Sequence, residues 1–134
     1  MRFKSKSEIQ IEPLSVWLSV CKVCDYTKVD LDADYVFTGK TDEEKSLVCP
    51  TALVPDKTTD RDDGWKAFQI VGTMEFSLVG ILAGTADVMA KNLIDIFAIS
   101  TFNTDYVLVK ESDFEKAAEV LKTAGYRMLE MKTE

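Results

Sequence analysis

The chain has 134 residues, enough for one domain or two small subdomains sharing a core, and 46% of them are hydrophobic. Its formal net charge of −7 excludes nucleic acid and an anionic membrane surface as partners, because both repel an acidic protein. It contains no histidine, which removes Ser–His–Asp and Cys–His catalysis, histidine zinc sites and histidine pH switches together.

The opening "MRFKSKSEIQ" is basic but has no apolar stretch behind it, so it does not read as a signal peptide. "LSVWLSVCKV" (14–23) is a predicted strand with aliphatic and aromatic content. It contains Cys21 and leads into Cys24, a lone C-x-x-C pair. A thioredoxin-type pair would open a helix after a strand, so ordinary strand residues are the reading here, and no metal or cofactor is expected. The odd third cysteine, Cys49, fits reduced thiols and a cytoplasmic protein. "DYVFTGK" (34–40) is a second predicted strand. The acidic start of "DEEKSLV" suggests a short helix over 42–48, because acidic residues favour the positive end of a helix dipole. "TALVP" reads as a short strand stopped by Pro55. "DKTTDRDDG" (56–64) reads as a solvated linker, since its aspartates lack the glycine and glutamate spacing of a calcium loop.

The second half has a clearer pattern. "WKAFQIV" (65–71) is a strand. Leu78, Leu82, Ala86, Met89 and Leu93 then recur at helical spacing, behind Ser77 as a capping residue, which predicts a helix over 77–92. "DIFAIS" and "YVLVK" are strands joined by "TFNTD". "SDFE" has the form of a capping box, with Ser112 at the cap and Glu115 three residues on, and predicts a helix over 113–124. Gly125 is its stop, and "YRMLEM" is a closing strand. The order β-α-β-β-α-β from Trp65 to Met131 predicts an α+β, ferredoxin-like unit with both helices on one face of the sheet. In the first half, "EKSLVCP" echoes "EFSLVGI", each after a strand ending near a glycine, which suggests that residues 1–63 are a reduced version of residues 64–134.

Two features can hold a ligand. A helix start at Leu78–Gly80 offers unpaired N–H groups that attract a carboxylate. The polar connection offers an anion, Asp105, and a two-way hydrogen-bonding group, Asn103. Together they complement a zwitterion. A local Asx turn through Asn103 and Asp105 is an alternative reading of the same residues. Gly80 and Gly84 fit either ligand approach or close helix packing.

The stretches "FSLVGI" and "ISTFNTDYVLV" resemble the ACT-domain proteins of the CASTOR-type branch. The similarity extends through "SLVCPTALVP" in the first half, which looks like the N-terminal ACT-like module of that branch. The resemblance implies an α+β, ferredoxin-like βαββαβ ACT fold over 64–134 with a reduced ACT-like module over 1–63. It implies amino-acid sensing without catalysis and without a cofactor. Carried over by motif, Ser77, Leu78, Val79, Gly80 and Ile81 match the glycine-containing segment that contacts ligand. Asp105 matches an aspartate that helps hold it, with Phe102, Asn103 and Thr104 as its neighbours. A homodimer follows from the same likeness, because short ACT chains often complete a ligand surface by pairing. The resembled sensors bind arginine and are longer, so neither arginine nor their signalling partner is implied here. The expected function is therefore a small-molecule, amino-acid-binding regulatory module in the cytoplasm. The alternatives are an oligomerisation domain and a small enzyme built on carboxylates or a lysine–serine pair such as Glu75, Asp105 and Lys110 could provide.

Overall fold

The computed structural model describes residues 9–71 and 78–133, with only the backbone described for Leu78 and Val79. The chain divides into two compact units: residues 16–65, and residues 1–15 together with 66–134.

In the unit of residues 16–65, the strands are β2 (Leu18–Lys22), β3 (Phe37–Lys40), β4 (Lys45–Pro50) and the first part of β5 (Asp60–Val71), after β1 (Gln10–Pro13) of the other unit. Their spatial order is β3-β4-β2-β5, all neighbours antiparallel. This is the second-third-first-fourth order of a ferredoxin-like unit, with both helices missing. A coil from residue 23 to 36 and a 3-10 turn, Thr51–Leu53, stand where they would be. The core is small: Cys21, Val23, Leu47 and Cys49, flanked by Tyr26, Val29, Val36 and Val54.

Several sequence expectations change here. The expected helix over 42–48 is a β-hairpin. Thr41 closes its loop by accepting hydrogen bonds from the Glu43 and Glu44 amides, each at 3.2 Å. Leu47, Val48 and Cys49 are then buried by pairing with β2, and that burial outweighs the helix preference of "DEEK". Thr51–Leu53, expected as a strand, is the 3-10 turn. Residues 60–64, expected as linker, form the start of β5. The echo "EKSLV"/"EFSLV" is a match of letters only, since Leu47 and Val48 are strand while Leu78 and Val79 are helix. Cys21 is buried in β2 and Cys24 is exposed beyond it, and neither forms a disulfide.

The other unit contains β1, the second part of β5, α1 (Leu78–Lys91), β6 (Phe97–Ser100), β7 (Asp105–Lys110), α2 (Glu111–Thr123) and β8 (Arg127–Met128). From β5 onward the order along the chain is the expected β-α-β-β-α-β. In space it is β6-β7-β5-β1-β8. The sequence reading had no strand at residues 10–13. β1 lies antiparallel to β5 and parallel to β8, and the parallel bonding continues through the Lys132 amide to the Pro13 carbonyl at 2.8 Å. Ile81 and Met89 of α1 share one buried cluster with Ala117 and Leu121 of α2, and with Ile11, Phe68, Ile70, Val107 and Val109 of the strands. Both helices therefore cover the same face. Phe68 stacks on Phe114 with ring centroids 4.6 Å apart.

The helix ends follow one motif with two different residues. At the end of α2, the Tyr126 amide bonds the Leu121 carbonyl at 3.1 Å and the Gly125 amide bonds that of Lys122 at 2.9 Å. Gly125 has φ 106°, the glycine-stopped Schellman arrangement that the sequence suggests. At the end of α1, Ile94 bonds Met89 at 3.0 Å and Leu93 bonds Ala90 at 3.1 Å. Here the left-handed position holds Leu93, with φ 58° and its side chain 91% exposed. Leu93 is thus past the helix and off its apolar stripe. At the start of α2, the cap is Lys110 without a side-chain bond, two residues earlier than the Ser112 capping box requires.

Gly64 is another left-handed position. The β2–β5 register slips between Leu18 and Val20, so β5 carries an extra residue there, and Gly64 sits at this bulge with φ 87°. A Cβ on Gly64 would meet nothing within 4 Å, so any penalty for a side chain is one of backbone conformation.

Three measurements check these assignments. In urea denaturation, Gly64→Ala should cost about 1–2 kcal/mol from the left-handed backbone alone. Leu93→Gly should stabilise by about 0.5–1 kcal/mol, the left-handed penalty less the extra freedom of glycine in the unfolded chain. The third concerns pH. Burial, with Cys21 adding, pushes the Cys49 thiol from 9.0 up to about 11. The folded state therefore holds this proton more tightly, so its stabilising contribution is complete below pH 9 and is lost as pH rises through about 11. Denaturation curves should show that decline, and Cys49→Val should make it shallower.

Candidate functional site

The β6–β7 hairpin carries four of the expected site residues. Its strands pair from Phe97 opposite Leu108 to Ser100 opposite Asp105, leaving Thr101, Phe102, Asn103 and Thr104 as the loop. Threonines close it. The Thr101 amide donates to the Thr104 carbonyl at 2.8 Å, the Thr101 hydroxyl donates to the same carbonyl at 3.0 Å, and the Thr104 amide donates to the Thr101 Oγ1 at 3.3 Å. The loop is therefore held by Thr101 and Thr104, which the Asx-turn reading does not involve. Phe102 is fully exposed at the tip and Asn103 is exposed beside it.

Thr104 turns inward. Its hydroxyl donates to the Ile70 carbonyl near the end of β5, which fastens the hairpin to the central strand. Asp105 follows, 1% exposed. Alternation along β7 places it on the same side as Val107 and Val109, the side covered by the helices. Its Oδ2 is buried and has no hydrogen-bond partner among the described residues. A buried carboxylate oxygen in that condition is costly, because the lost hydration is not replaced.

The helix-start residues are placed less uniformly. Ser77 lies outside the described residues, and only the backbone of Leu78 and Val79 is described, opening α1. No acidic side chain occupies the first turn of α1 among the described residues, which leaves that turn suited to a negative group. Gly80 is exposed, with open space around a Cβ built on it. Ile81 points into the core that holds Ile70 and Val107. The two glycines separate: on Gly84 a Cβ would come within 2.6 Å of the Tyr126 hydroxyl, so Gly84 packs closely and a side chain there would displace that hydroxyl.

The structure thus brings together Thr104, Asp105 and the end of β5, and puts Ile81 in the adjoining core. It does not bring Phe102 or Asn103 to Asp105. Sequence reasoning did not single out Thr101 or the Ile70 carbonyl. The symmetric "TFNT" spacing, threonine at both ends of a four-residue loop, is the signal that could have found the clamp. Among the described residues, no group of three or more His, Cys, Asp or Glu could hold a metal ion, and no helix is long and apolar enough to cross a membrane. The chemistry on offer is acceptance: a buried carboxyl oxygen with no donor among the described residues.

Residues 60–123 match the family model for the ACT domain. That span runs from the start of β5 to the end of α2, so it contains the whole clamp and Asp105. The chain is similar to a crystallised protein of Agobacterium tumefaciens, with 29% identity, a TM-score of 0.83, and coverage of 93% of this chain and 95% of that one. It is also similar in fold to a Vibrio cholerae protein of unknown function described as a possible transport protein, at 16% identity and TM-score 0.69, over 88% of this chain and 91% of that one. The ligand-free regulatory subunit of aspartate kinase from Thermus thermophilus shares the fold at 10% identity and TM-score 0.60, over 86% and 96%. No match is found among curated proteins. The architecture is the ferredoxin-like ACT fold.

The clamp can be tested without any ligand. Thr104→Val removes the donor to the Ile70 carbonyl and should cost about 1–2 kcal/mol of stability. Thr104→Ser should recover most of it. Equal stability of all three proteins in urea would mean that this bond contributes nothing.

Proposed function

We propose that the protein is a regulatory module that binds an amino acid, with Asp105 receiving its ammonium group. The observation that carries this reading is the Asp105 Oδ2, buried and without a hydrogen-bond partner among the described residues. An ammonium group supplies the missing donors and the compensating charge together. The first turn of α1, free of acidic side chains, is suited to the carboxylate at the other end of the same ligand. A simple cation or anion would satisfy one feature and leave the other. The absence of histidine and the ACT-domain match support regulation over catalysis, and the aspartate kinase regulatory subunit with this fold is in keeping with it. The reading retains the narrower likeness to the CASTOR-type branch, a cytoplasmic setting, and contacts through Leu78, Val79 and Gly80. It includes a homodimer, for which the exposed Leu93 and Phe102 offer apolar contact area.

A thermal-shift screen of the common amino acids finds the ligand, since one at a hundredfold its dissociation constant adds about 2.7 kcal/mol. Calorimetry with that amino acid should then show that Asp105→Ala loses a charge-assisted bond of about 1.5–3 kcal/mol, roughly ten- to hundredfold in affinity. Equal binding by the folded wild type and the folded variant overturns the assignment. Sedimentation at micromolar concentration showing monomer alone would remove the dimer.

A further inference from the structure

In the unit of residues 16–65, an open cleft between the coil after β2 and the segment after the 3-10 turn presents both signs of charge, with Asp25, Asp30 and Asp56 beside Lys28 and Lys57. The end of α1, in the other unit, has a more definite character. Leu93 stands there with φ 58° and its side chain 91% exposed. Glycine is the usual occupant of a left-handed helix stop, and a leucine is strained in it. In a single copy that strain is not offset, because the exposed side chain gains almost no burial in return. Beside Leu93 lies a groove of about 480 Å3, lined also by Ala86, Ala90, Ile94, Asp95 and Ile96. Ala86 and Ala90 are one turn apart on α1, and their small side chains keep the groove open. One surface therefore carries a projecting leucine and an apolar hollow that a leucine can enter. It also carries charges of both signs. Lys91 pairs with Asp87 at 2.9 Å, Lys116 donates to the Asn92 carbonyl at 3.0 Å, and Asp95 lines the groove.

We propose that this groove docks a second copy of the chain, with Leu93 of each protomer entering the groove of the other. Such a contact is isologous: projection and hollow lie on one surface and are used twice about a two-fold axis, which closes the assembly at a dimer. A partner of another kind could fill the groove and still leave Leu93 in water, whereas a second copy buries both features at once. The charges agree with this. Copies of a chain with net charge −7 repel one another in general, but at this patch each copy offers a lysine to the aspartates of the other. The proposal rests on the homodimer included in the reading above and names its contact surface. It does not depend on Asp105. Phe102, in the loop at the far end of β6 from Leu93, lies outside it.

The two roles of Leu93 have opposite signs in two measurements. In urea, at a dilution where the chain is monomeric, Leu93→Gly should be the more stable protein, because glycine relieves the backbone. In sedimentation velocity over a series of concentrations from micromolar upward, the same variant should raise the dimer dissociation constant by about a hundredfold or more, because two buried leucines are lost per dimer. A variant that folds more stably cannot lose its dimer by unfolding. Ala90→Leu exchanges one good helix former for another at an exposed position, fills the groove, and should weaken the dimer independently. Phe102→Ser should leave it unchanged. A dimer that persists unaltered in Leu93→Gly and Ala90→Leu, or one weakened as much by Phe102→Ser, overturns this surface while the homodimer stands. A wild type that stays monomeric throughout overturns both. Neither result bears on Asp105, whose ligand is read by calorimetry.

Discussion

Asp60–Val71 is one uninterrupted strand, and both compact units are short of a strand without it. Up to Trp65 it pairs with β2, and from Phe68 onward with β1. Within its β2-paired part the ladder carries a bulge, with β2 pairing on both sides of it. The extra residue opposite Ser19 is absorbed where Gly64 takes φ 87°. Nearby, Asp63 is bonded by Ser19 Oγ at 2.6 Å and by Arg61 Nε at 2.8 Å. Ser19 is fully buried and a second hydroxyl, Thr51, lies 2.9 Å from its Oγ. A buried hydroxyl is costly unless satisfied, so this group fixes the bulge position as well as stabilising it.

The two units differ in completeness: the order of the first is β3-β4-β2-β5, and in the second β1 stands between β5 and β8. Where the helices are present, they bury a cluster of twelve residues centred on Phe68, Ile70, Val107 and Val109. Where they are replaced by coil, the cluster of Cys21, Val23, Leu47 and Cys49 is smaller. Less apolar burial leaves less to offset chain entropy, and local polar turns fill the gap: Asp25 with Thr27, Asp30 with Asp32, Thr41 with Glu43 and Glu44. Those turns give the coil a definite path. The cleft between the coil and the 3-10 segment is therefore a shaped feature rather than a gap between loose ends.

What could be read from the sequence follows how local each signal is. The α1 and α2 helices, the Gly125 stop and the β-α-β-β-α-β order depend on spacing within a dozen residues, and they are where the pattern puts them. β1 depends on partners about sixty and a hundred and twenty residues away, as the pairings of Gln10 with Val71 and with Arg127 indicate, and "QIEP" carries no strong strand signal of its own. "DEEKSLV" was misread for the related reason that β2 pairing, remote in sequence, overrides helix propensity. The aspartates of residues 60–63 have low strand preference and still form strand, because β2 supplies the ladder. At the site, Asp105 stood out by its chemistry. Its burial did not, because that depends on Thr104 reaching Ile70, a residue 34 positions away.

Thr104 illustrates how a motif neighbour can matter without touching a ligand. Its hydroxyl is spent on the Ile70 carbonyl, so it has little left to offer a bound molecule. What it fixes is the depth of Asp105. Were the hairpin to lift from β5, Asp105 would reach water, its unpartnered oxygen would be hydrated, and an incoming ammonium would have to displace that hydration. Held down, the carboxylate has already lost its solvent, and the desolvation it has undergone during folding is not charged again on binding. Thr101, Phe102 and Asn103 stay exposed, and only Thr104, at the far end of the loop, turns inward. The polar connection between the two strands is thus divided: its last residue fixes the depth of Asp105, and the rest is left to solvent.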